Sequence, residues 1–193
     1  MFQSWVQTQG ANNADGAALN TSTTATSLLP AAGVNRQPIV LPQNFFYYAG
    51  QVLRIRGAGR ISNIVTTPGT FTLDVRFTTG PIVVFNGGAM QLSTTAHTNV
   101  PFRFDIDLTC RSVGSGTGAT LFGQGMFFSQ AVSVSGADPT TGHSFLMIPN
   151  TAPAVGNGFD STSVQPIDIF GTFSISNAGN GVTLHQLYVE SLN

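Results

Sequence analysis

The sequence contains no lysine and a single glutamate, Glu190; seven arginines and seven aspartates are its only other charged residues. Charged residues make up 8% of the chain, against about 25% in an ordinary soluble domain. Charge keeps a folded monomer soluble and apart from its neighbours. A chain that has discarded it is expected to cover much of its surface with copies of itself or with another protein. Without lysine there is also no phosphate-binding P-loop, because that motif needs a Lys directly before its Ser or Thr. The run Gly114-Ser115-Gly116-Thr117-Gly118 is therefore read as a loop between strands. A net charge of −1, with Arg54, Arg56 and Arg60 as the one local basic cluster, leaves no basic face for a phosphate backbone, so no nucleic acid partner is expected.

Cysteine is almost absent. Cys110 alone excludes an internal disulfide and fits folding in a reducing cytoplasm. The segment MFQSWVQTQG has neither a positive n-region nor the apolar core of a secretory signal. No apolar stretch approaches the ~20 residues of a spanning helix, and no membrane partner is expected. The sequon Asn20-Thr21-Ser22 is then a chance match.

Thr, Ser, Asn, Gln and Gly supply the polarity instead, and 41% of residues are hydrophobic, fifteen of them Phe. That composition excludes disorder of the whole chain and favours strands and turns. From about residue 45 onward the hydrophobic period is two. In 70–77, Phe71, Leu73, Val75 and Phe77 oppose Thr70, Thr72, Asp74 and Arg76. In 101–110, Phe102, Phe104, Ile106, Leu108 and Cys110 oppose Arg103, Asp105, Asp107 and Thr109. In 51–61, Leu53, Ile55 and Ile61 oppose Arg54, Arg56 and Arg60, with Gly57 and Gly59 on the apolar side marking a bend or a close backbone approach. Segment 165–176 places Ile167, Ile169, Phe173 and Ile175 on one face around Gly171. Segments 81–86, 89–93, 119–134, 143–149 and 182–190 read as strands less cleanly, and Gly- and Pro-containing turns separate them.

The fold expected is all-β: a two-sheet antiparallel sandwich of eight or nine strands, jelly-roll-like, over residues 45–193. A transmembrane barrel shares the same period turned inside out; the missing secretory signal and the Phe residues opposite the charges of each clean strand argue against it. Residues 1–44 are small, polar and interrupted by Pro30, Pro38 and Pro42. They are expected to form an extended N-terminal arm, either a free terminus or a segment ordered on a neighbouring subunit, with Phe2, Trp5 and Val6 as anchors at its tip.

The candidates for chemistry are sparse. Asp105 and Asp107 share a strand face and could bind a cation, but Arg103 beside them makes cross-strand ion pairing the simpler account. His97, His143 and His185 have no metal-ligand spacing, and no GxSxG elbow is present. Cys110 continues an apolar face and reads as a small core residue. The cluster Phe45-Phe46-Tyr47-Tyr48 closes one end of the sandwich or packs an interface. Met126-Phe127-Phe128 is apolar on both faces, so it is either central in the fold or under another subunit. Neither a cofactor nor a metal is expected.

Three stretches carry a family resemblance: Ala49-Gly50-Gln51 through Ile61, Thr67 through Leu73, and Pro101-Phe102 through Thr109-Cys110-Arg111-Ser112-Val113-Gly114. In strand-and-turn rhythm and composition, residues 49–130 resemble virion structural proteins of tailed bacteriophages, in particular β-sandwich proteins that decorate or cement the head. The resemblance implies a jelly-roll-like domain, self-association into dimers or trimers, docking on the major capsid protein at the capsid surface, and no catalytic residues. A tail or fibre component, including a receptor-binding head that holds sugar with exposed Tyr and Asn/Asp loops, is the alternative. A β-sandwich hydrolase stands third, because no acid/base pair stands out.

Overall fold

Alternation builds the sandwich. The computed structural model describes residues 6–31, 39–78, 81–133 and 144–192, and they form thirteen strands and no helix. Three long strands, β5 (Val52–Asn63), β9 (His97–Ser112) and β10 (Thr120–Ser129), lie side by side, each turning one apolar face inward. The last strand, β13 (Gly181–Ser191), pairs with β5, and β11 (Ser144–Ile148) pairs with β10. The N-terminal strands β1 (Gln7–Ala11) and β2 (Leu19–Asn20) pair with β13, which completes the larger sheet in the order β1-β13-β5-β9-β10-β11. Opposite it lies a second sheet in the order β3-β12-β6-β7, made of β3 (Thr26–Ser27), β12 (Gln165–Phe173), β6 (Thr70–Phe77) and β7 (Ile82–Asn86). The short strands β4 (Ile39–Leu41) and β8 (Met90–Gln91) pair with β12 and β6. Every pairing is antiparallel. The two-sheet antiparallel sandwich expected from the sequence is what the chain forms.

Phenylalanine joins the layers. Phe71 of β6 meets Phe127 of β10 at 6.1 Å and Phe173 of β12 at 5.2 Å, while Phe102 stacks on Phe127 at 5.4 Å. These rings are buried, and each such side chain contributes on the order of 1.5–3 kcal/mol when removed from water. The inward glycines of β5 make room for them. A Cβ at Gly57 would lie 2.5 Å from a Phe104 ring carbon, and one at Gly59 would lie 2.7 Å from the Phe102 ring. The close approach anticipated at these two positions is thus between backbone and aromatic ring.

Three segments differ from the sequence reading. The described part of residues 1–44 is extended, but it is not set apart from the sandwich. It pairs with β13 in one sheet and β12 in the other, burying Leu19, Leu28, Leu29, Ile39 and Leu41. Strands of two to five residues are too short to show an alternation. Phe2 and Trp5 lie outside the described residues. The alternation in β13 is blurred by a bulge between Leu184 and Gln186: Val182 and Leu184 point inward before it, Leu187 and Val189 after it, so the phase slips by one residue. Asn12 fills the gap in the ladder, donating to the His185 carbonyl at 3.0 Å and accepting from the Leu187 N–H. Lastly, β12 ends at Phe173, and Ile175 is exposed.

Candidate functional site

The outer face of the larger sheet collects the chain's scarce charges, and the pairing registers place them in rows running across the strands. One row reads Glu190, Arg54, Asp107, Gln124 from β13 to β10. The next reads Tyr188, Arg56, Asp105, Met126, Met147. The third reads Gln186, Ala58, Arg103, Phe128, Phe145. Apart from Ala58, the side chains on β13, β5 and β9 are polar or charged, and those on β10 and β11 are uncharged or apolar.

In the polar half, Arg54 holds Asp107 with two parallel bonds of 2.7 Å. Its Nε also lies 3.6 Å from Asp105. Arg56 donates from Nε to Asp105 at 2.9 Å and reaches Glu190 at 3.5 Å. The bond to Asp107 raises the Arg54 pKa, against the smaller opposing effect of burial. Asp105 and Asp107 are therefore engaged as cross-strand partners of arginine. Among the described residues no three His, Cys, Asp or Glu side chains are grouped to hold a metal.

Beside this network is an open cleft of about 300 Å³ lined by Arg56, Ala58, Arg103, Gln186, Tyr188 and Glu190. The backbone of Gly57 lines it beside the small side chain of Ala58, and the β13 bulge fixes which β13 residues, Gln186 and Tyr188, face it. Nothing in the sequence announces this cleft, because it depends on β13 pairing with β5 across more than a hundred residues.

In the apolar half, Phe128 and Phe145 stack at 5.4 Å and are 36% and 49% exposed, while Met147 is 53% exposed. Phe127 points into the core, so Met126-Phe127-Phe128 is not covered on both sides by this chain. Arg111 lies over the Phe122 ring at 4.7 Å where the apolar half begins. The sequence hides the exposure of Phe145 and Met147, because Phe145-Leu146-Met147-Ile148 is apolar at every position.

The remaining sequence candidates are scattered. Asp74 and Arg76 pair at 2.8 Å on the other sheet, with Arg76 over Phe170; Asp74 is buried there. His185 bonds to Asp15 at 2.8 Å, His97 opens β9, and His143 lies outside the described residues. The Cys110 thiol is buried, and burial pushes its pKa up. The glycine-rich loop turns β9 into β10 and is clasped from below: Ser161 accepts from the Gly114 N–H at 3.0 Å, and its own N–H donates to the Gly114 carbonyl at 2.9 Å. The aromatic cluster divides. Phe46 is buried against Phe45 and Phe159, whereas Tyr47 and Tyr48 pack edge to face at 4.7 Å on the surface. Gln51 sets that division by accepting from the Tyr47 N–H and donating to the Phe45 carbonyl, both at 2.9 Å.

No family model matches the chain, and no curated protein matches it. Among solved structures it is similar to the CBM2 module of the evolved Dit of Lactobacillus casei BL23 phage J-1, at 7% sequence identity and a TM-score of 0.32, over 100% of this chain and 99% of that one.

Proposed function

We propose that this protein is a non-enzymatic structural subunit of a tailed-phage virion, which decorates and cements the head by bridging neighbouring major capsid subunits through the outer face of its larger sheet. The observation that carries this reading is the division of that face. An ion-pair ribbon engages Arg54 and Arg56 with Asp105, Asp107 and Glu190, and beside it lies an open Phe/Met surface. Such a face suits a broad, weakly polar contact rather than turnover. Symmetry multiplies contacts of this kind, so modest affinity per subunit becomes stable attachment. The scarcity of charge over the whole chain and the resemblance of residues 49–130 to head-decorating proteins support the same reading.

One observation favours a second reading, a tail or fibre component. The cleft beside Tyr188 sets an aromatic ring among Arg103, Gln186 and Glu190, a lining that suits a saccharide. Cosedimentation with purified empty heads and with isolated tails separates the two. Saturable binding to heads, lost in Met126→Glu, is the result expected of a decorating subunit. Binding to tails alone favours the second reading, and binding to neither overturns both.

A further inference from the structure

The apolar end of the outer face coincides with an unpaired sheet edge. Strand β11 pairs with β10 on one side, from Gly125↔Ile148 to Ser129↔Ser144. On its other side it has no partner strand among the described residues. Edge strands of stable monomers carry charges or prolines that deter pairing. Within β11 neither is present: Ser144–Ile148 contains no Asp, Glu, Lys, Arg or Pro, and Pro149 follows only where the strand has ended. Phe145 and Met147 project outward along this edge, 49% and 53% exposed. Leu146, between them, points inward and at 8% is the most exposed of the core hydrophobic residues. The core is thus left least closed at the same edge.

We propose that β11 is the contact by which two copies of this chain join, edge to edge and antiparallel about a two-fold axis, making one continuous sheet. The inference deepens the structural-subunit reading by naming its self-association surface, and it rests on that reading. A second copy is the occupant the chemistry favours. The edge is uncharged, and at a net charge of −1 per chain two copies barely repel one another. An antiparallel edge is also self-complementary under two-fold symmetry. With the axis at Leu146, that side chain faces its own counterpart and closes the core. Phe145 then meets Met147 of the other copy on the outer face, a sulfur–aromatic pair, and the exposed Phe/Met stripe doubles in width.

Light scattering on the full-length protein over a concentration series tests the proposal. A species of about 40 kDa, twice the 20.2 kDa chain, is expected. Phe145→Glu and Met147→Arg change exposed positions, so both variants should fold and weaken the dimer by at least about tenfold, since buried aromatic anchors dominate interfaces. The register has its own readout. In a Cys110→Ser background, Phe145→Cys and Met147→Cys proteins mixed under oxidising conditions should give a disulfide-linked heterodimer in higher yield than either alone. A monomer at every concentration, a trimer, or a dimer indifferent to both charge variants overturns the proposal. A parent protein that stays monomeric yet sediments with heads or tails removes the dimer alone and leaves the virion reading intact, whereas a normal dimer that binds neither removes that reading alone.

Discussion

Arg54 and Asp107 face each other across β5 and β9 as a fork on a fork, Nε to Oδ1 and Nη2 to Oδ2, both at 2.7 Å. The pair is half-buried and tied through Asp105 to Arg56 and Glu190. Arg54→Ala is expected to cost about 0.5–1 kcal/mol, at the upper end for a surface pair because the geometry is bidentate. Arg54→Lys should recover only part of this, since an ammonium cannot bridge both oxygens. Urea unfolding of the two single variants and of the Arg54→Ala, Asp107→Ala double variant measures the coupling.

Glycines 57 and 59 are expected to resist substitution for a packing reason. Gly59→Ala drives a methyl group into the Phe102 ring and the Thr183 carbonyl and should cost about 2–3 kcal/mol. Gly116→Ala is the contrast. Its φ of 66° lies in the left-handed region, with nothing near the added atom, so the expected cost is about 1–2 kcal/mol from backbone strain alone. Thermal unfolding of both variants distinguishes them.

The two halves of the aromatic cluster should behave oppositely. Phe46→Ala empties a site between Phe45 and Phe159 and is expected to lose about 3–5 kcal/mol. Tyr47→Ser, at a position 69% exposed, should stay within about 0.5 kcal/mol of the parent. A loss of particle binding in Tyr47→Ser without loss of stability would mark the tyrosines as contact residues.

Asp160 provides a pH signature. Bonds from the Thr162 hydroxyl and N–H, at 2.6 and 2.9 Å, and from the Gly116 N–H lower its pKa. The folded state therefore binds this proton less readily than the unfolded one. The stabilisation is full above the ordinary aspartate value of about 4 and is lost as pH falls through the lower folded value. In unfolding experiments across this range, the difference between the parent and Asp160→Asn should be largest near neutrality and shrink toward strong acid. A difference independent of pH would contradict the assignment.

Cys110 is buried, and its thiol titrates above the usual range. A thiol reagent at mildly alkaline pH should leave the native protein unlabelled and react once denaturant is added.

Much of the fold is legible because β5, β6 and β9 each bury one face and wet the other; TFTLDVRF alone states its own geometry. Less of the functional face is legible, for two physical reasons. Arg54, Arg56, Asp105 and Asp107 can be assigned to outer faces by alternation, but which carboxylate meets which arginine is a matter of register. Tyr188 and Gln186 enter the same face only through a pairing with β5 whose phase a bulge resets. The N-terminal segment was hidden differently. Leu19, Leu28 and Leu41 are each buried, yet short pairings separated by turns leave no period to recognise.

The Asn12 clamp on the β13 bulge has a consequence for biosynthesis. β1 and β2 find their backbone partners on β13, and β3 and β4 find theirs on β12. The strands that precede β5 in the chain must wait for β12 and β13, which are made after them, before they can settle. Contacts of such long sequence separation fold slowly and leave apolar edges open meanwhile. The sandwich is therefore laced shut only after synthesis of the chain has passed β13, with Asn12 as one of its final fastenings.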